Sequence, residues 1–289
     1  MHQVENGFLK ITARESGAEL TSVINKINGI EHLWQADPQF WTWHSPVLFP
    51  VVGRCLNDEI TIDGRKYNME KHGFARKSQF KLLELGKTRM VFSLKESAET
   101  LEAYPYKFEF LIAYHVSLNK LTVSYEVINH DSQTIYFSVG GHPAFAVPFL
   151  KDEQYEDYYL EFSETESVSR HYIDSDGFFD GKKEVVLAET NRLDMKKGMF
   201  KDDAIIFKDL KSRKVTIRSK NHEQYLSVDF TGFDYLGLWA KVGAPYVCIE
   251  PWLGCADTTG NLVDFKQKEG IIALEAGKRF GVSFAVEVG

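Results

Sequence analysis

The chain has 289 residues, with 34 Lys plus Arg against 41 Asp plus Glu and a net charge of −7. With no basic stripe interleaved with aromatics and no apolar run near the ~18 residues of a membrane helix, composition argues against nucleic-acid and membrane partners. The three cysteines, Cys55, Cys248 and Cys255, lack paired short spacings, which argues against a disulfide framework or zinc ribbon and predicts reduced packing thiols.

The opening MHQVENGFLKITARESGAEL lacks the charged and then apolar profile of a signal peptide, so a cytoplasmic protein is expected. Farther along, IDGRKY predicts a hairpin, because Asp63 and Gly64 tolerate the left-handed conformations of a tight turn. SLKESAETLEAY is the best helical pattern, with Ser93 as a possible cap and an end before Pro105. KFEFLIAYHVSL then alternates Phe108, Phe110, Ile112, Tyr114, Val116 and Leu118 against Glu109, His115 and Ser117, the period of a half-buried antiparallel strand.

KLTVSYEVINH repeats the period, and the short SLNK link fits a hairpin between the two. TIYFSV reads as a strand running into GGHPAF, and the acidic KDEQYEDYYLEF reads as a solvated loop running into a strand rather than a calcium loop. YVCIEPW and GVSFAVEV supply the last strands, with Pro251 expected to end the former's ladder. No linker, repeat or compositional break divides residues 1–289, so the expectation is one all-β domain, two antiparallel sheets stacked as a sandwich with very little helix.

Alternation also aims the chemistry. If TIYFSVGGH keeps its period, Ile135, Phe137 and Val139 face one way while His142 faces the other. In YVCIEPW, Glu250 points away from Val247 and Ile249. Two strands would each deliver one ionisable group to a face that is not the aliphatic core, and an imidazole with a carboxylate makes an acid and base pair. Gly140 and Gly141 are expected to let a ligand approach the backbone, and Trp252 offers a flat apolar surface. Arg54 carries a planar fork of donors suited to hydroxyls or phosphates, whereas Lys71, His72, Arg76 and Lys77 are equally well read as a solvated basic turn.

These segments also carry a resemblance. VVGR (51–54), HGFAR (72–76), GGHPAF (140–145) and CIEPW followed by GCAD (248–257) resemble, in order, signature segments of the aldose 1-epimerase, galactose mutarotase-like family, with YPYKFEF and DDAIIF (202–207) in support. The resemblance implies a large antiparallel β-sandwich, the galactose mutarotase-like supersandwich, with an open sugar cleft. It implies interconversion of α and β anomers of an aldose with no cofactor and no metal. It puts the acid on His142, the base on Glu250, a second active-site histidine on His72, and sugar binding on Arg54 and on Asp203 or its neighbour Asp202. The form HGFAR is closer to the hexose 6-phosphate epimerase branch, which would turn Arg76 to a phosphate.

Two rival readings predict other behaviour. A glycoside hydrolase or lyase would pair Glu250 with Asp229, Asp234 or Asp257. A noncatalytic sugar-binding module would use Trp239, Trp252 and Arg54 for recognition alone. The partner in each case is a small sugar or sugar phosphate, and both a monomer and a homodimer are open.

Overall fold

The computed structural model describes residues 1–289. One continuous antiparallel path of strands organises it, running from Val47–Leu48 through Val139–Gly141, Tyr246–Leu253, Tyr235–Trp239, Ile205–Phe207 and Tyr158–Ile173. The path goes on through Lys214–Ser219, Tyr225–Asp229, Arg279–Val288, Lys120–Asn129, Phe108–Ser117 and Arg89–Lys95 to an edge at Lys81–Leu85. The all-β expectation holds, and the only α-helix is Ala98–Ala103.

The alternating segments fold as their period requires. Phe108, Phe110, Ile112, Tyr114 and Val116 are buried, and so are Leu121, Val123, Tyr125 and Val127 on the next strand, which pairs Lys120 with Ser117 across the hairpin. The C-terminal strand adds Phe284, Val286 and Val288 to the same core. Asp63 and Gly64 take positive φ, 49° and 77°, and close the hairpin between Glu59–Ile62 and Arg65–Asn68.

Four local expectations are corrected. The helix is capped by Ser97, not Ser93: the Ser97 side chain accepts from the Thr100 N–H while Ser93 sits inside the strand Arg89–Lys95. A residue committed to a ladder keeps extended dihedrals through its neighbours, so the first free serine takes the cap. Pro251 does not end its strand; it pairs with Leu236 and the strand runs on to Leu253, which places Glu250 in the interior. The TIYFSV strand changes partners at Ser138: Ile135–Phe137 pairs with Ile272–Leu274, and Val139–Gly141 with Val47–Leu48 and the Glu250 strand. In the acidic loop, Glu153 turns inward and is 8% exposed, accepting from Ser219, Asn221 and the Tyr158 hydroxyl.

Candidate functional site

The site is built on a broken ladder. Gly140 pairs with Trp252 and Ala144 with Cys248, so the shared register sets His142 opposite Glu250. Between those pairs the ladder is interrupted, because Pro143 and Pro251 have no N–H to give. The Ile249 N–H still donates to the Pro143 carbonyl, while the His142 N–H turns to the other flank and donates to Pro46 O at 3.1 Å. His142 and Glu250 are therefore a non-hydrogen-bonded cross-strand pair, the type whose side chains come closest. His142 Nε2 lies 3.2 Å from Glu250 Oε2.

Both groups are desolvated, with His142 9% and Glu250 1% exposed. Burial pushes the Glu250 carboxyl well above the ordinary carboxylate range, opposed by the Lys71 ammonium and reinforced by Asp203. Burial pushes the His142 imidazole down to about 3, helped by Lys71 and Arg76. Each partner thus favours its uncharged form.

Aromatic walls fix the imidazole. Trp41 stacks on it with ring centroids 4.9 Å apart and planes 29° apart, and Trp239 meets it edge-on at 5.8 Å. His72 stands edge-to-face with it at 5.9 Å. His72 has φ of 67° and is followed by Gly73 at 70°, where a Cβ would lie 2.2 Å from Phe49 O. Only glycine fits at 73, and its freedom lets the histidine occupy a left-handed position. His72 Nδ1 accepts the Gly53 N–H at 3.1 Å, which leaves Nε2 as the protonated nitrogen free for a ligand.

The two glycines before His142 serve the protein's own packing rather than a ligand, contrary to expectation. A Cβ at Gly140 would lie 2.8 Å from Trp252 Cδ1, and one at Gly141 would lie 2.8 Å from the Tyr125 hydroxyl. Gly237, paired with Glu250 on the other side, would meet Trp252 Cζ2 at 2.7 Å. Trp252 is accordingly 5% exposed, lying across two glycines as buried floor beneath Glu250, and not an open platform for a sugar ring.

The remaining candidates separate. Arg54 spends its fork on Asp58, with Nε to Oδ1 and Nη2 to Oδ2 both 2.7 Å, and gives Nη1 to the Asp176 carbonyl at 3.0 Å. It lines a cavity of about 600 Å³ with Lys71, Arg76 and Asp203. Asp203 also lines the adjoining cavity that contains Trp239, and its Oδ1 accepts the Ala204 N–H at 2.7 Å. Asp202 lies in that second cavity only and gives its carbonyl to Arg170.

Arg76 donates to the Lys71 carbonyl at 2.8 Å and covers Trp43, and its Nε is buried without a partner. The carboxylates that a hydrolase would need are committed or remote in role. Asp257 binds the buried Lys268 ammonium and the Leu56 N–H, Asp229 closes a turn at Thr231, and Asp234 is exposed.

Sequence reasoning missed Trp41 and treated Lys71 as a solvated turn residue. The run WTWHSP contains Trp41 but gives no period that would aim it.

A family profile described as aldose 1-epimerase matches residues 1–285. The plasmid and chromosomal LacX proteins of Lactococcus lactis subsp. lactis are each 35% identical over 289 residues, covering 96% of this chain and 96% of theirs. Among solved structures, a galactose mutarotase related enzyme from Lactobacillus acidophilus superposes with a TM-score of 0.95 at 33% identity, covering 100% of this chain and 97% of that one. A galactose mutarotase-like protein from Lactobacillus casei ATCC 334 gives 0.93 at 31%, covering 100% of both.

Proposed function

We propose, from the fact that this chain belongs to the aldose 1-epimerase family, that it interconverts the α and β anomers of an aldohexose or hexose 6-phosphate without a cofactor. The observation that carries this reading is the desolvated His142–Glu250 pair, 3.2 Å apart on facing strands. The anomeric hydroxyl and the ring oxygen of an aldose are bonded to the same carbon, so two proton-transfer groups that close together can serve both.

In the forward direction Glu250 takes the proton of the anomeric hydroxyl while His142 gives one to the ring oxygen, and the ring opens to the aldehyde. Rotation about the C1–C2 bond presents the other face, and closure returns both protons. The working state is the ion-paired form, carboxylate and imidazolium, which is a tautomer of the uncharged pair and needs no net proton uptake. Lys71 favours the carboxylate within that pair. His72 Nε2–H and Asp203 are suited to orient ring hydroxyls, and Trp41 and Trp239 keep the imidazole in place.

The finer choice of substrate rests on charge. In the cavity beside Arg54, Lys71 and Arg76 have no ion-pair partner, while Arg54 is neutralised by Asp58. A 6-phosphate would find a charge-assisted partner in Arg76, which lines the cavity and has no carboxylate partner.

The test is exchange NMR of anomer interconversion for glucose, galactose and their 6-phosphates with wild type, His142→Asn and Glu250→Gln. Acid or base loss costs roughly 10² to 10⁴ in rate, so both variants should fall to the buffer rate or close to it. A sugar that binds but exchanges no faster than in buffer overturns the assignment. Arg76→Gln is expected to raise KM for the phosphorylated sugar alone, and an equal effect on the free hexose refutes the phosphate role.

A further inference from the structure

The acid and base pair has a third neighbour that the reaction does not use. Cys248 lies two residues before Glu250 on the same face of the strand and is fully buried. Its Sγ, one nitrogen of His142 and one Glu250 oxygen lie within 4.8 Å of one another. His142 Nδ1 is buried without a hydrogen-bond partner, and Glu250 Oε2 makes no hydrogen bond although His142 Nε2 lies 3.2 Å away, so both atoms are desolvated without compensation.

We propose that His142, Cys248 and Glu250 form a latent site for a borderline divalent cation of the zinc class, whose occupation blocks anomer exchange. Thiolate, imidazole and carboxylate together make a donor set that zinc accepts, with three protein ligands and a fourth position for water. Tetrahedral bonds of ~2.0–2.3 Å place donor atoms about 3.5 Å apart, against a span of at most 4.8 Å among the three atoms here. Hard cations that demand six or more oxygen ligands have no such set here.

On binding, the Cys248 thiol proton and the Glu250 carboxyl proton leave to solvent, and the metal takes the lone pairs that would accept protons from the sugar. Inhibition then follows from capture of the catalytic groups themselves, and a bound sugar and the cation exclude each other. This inference shares its residues with the mutarotase reading, but its first test does not depend on turnover.

Co²⁺ titration of the wild-type protein should produce a near-ultraviolet thiolate-to-metal charge-transfer band that Zn²⁺ abolishes by displacement. Cys248→Ala should show no such band. In chelator the Cys248→Ala protein should exchange anomers at the wild-type rate, and its half-inhibiting Zn²⁺ concentration should rise by at least the roughly 10–100-fold that loss of an outer partner already costs. Cys248→Ser and a thermal melt with and without Zn²⁺ keep the result readable if the alanine variant folds poorly. Absence of the band in wild type, or Zn²⁺ inhibition unchanged in both Cys248 variants, overturns the site. A band in a protein that fails to accelerate anomer exchange supports the metal site and counts against the mutarotase assignment alone.

Discussion

His32 provides the sharpest test of how this fold handles buried polarity. It is fully buried, both ring nitrogens lack a partner, and the edge of Phe149 packs on it with centroids 5.0 Å apart. Burial holds its pKa down to about 4 against an ordinary 6.5. The unfolded chain therefore binds this proton more tightly than the folded one, and stability is complete above about pH 7 and falls as pH drops from 6.5 towards 4.

With those two values, linkage gives a loss of about 2 kcal/mol between pH 7.5 and pH 5 from this group. His32→Leu removes the proton site and the two unpaired nitrogens while keeping similar volume, so it should be no less stable than wild type at pH 7.5. Urea unfolding of both proteins at the two pH values measures the difference, in which the other histidines cancel. Curves that stay parallel within about 0.5 kcal/mol would mean that His32 is solvated or paired in the folded state, and the reasoning fails.

Two further outcomes follow from the site. Gly237→Ala places a Cβ 2.7 Å from the Trp252 indole, so a destabilisation of roughly 1–3 kcal/mol in denaturant melts should come with a slower exchange rate, since Trp252 floors Glu250. Lys71→Met removes a charge that lowers the Glu250 pKa, so the acidic limb of the kcat/KM profile should move to higher pH; a limb that stays in place separates Lys71 from the pair.

What the sequence determined by itself was local. Period-two alternation told which side chains of the strands around Phe108, Leu121 and Val282 go inward, and it aimed His142 and Glu250 off the aliphatic face, because the pleat fixes orientation residue by residue. Only the tertiary structure decided that these two residues stand opposite each other, since register depends on strand pairing between segments a hundred residues apart and no single segment encodes it. The same long-range pairing brought Trp41 and Cys248 to the pair and committed Arg54 to Asp58. It also gave Gly140 to Trp252, a use of glycine that the run GGHP shares with a ligand-approach turn until the neighbouring strand is known.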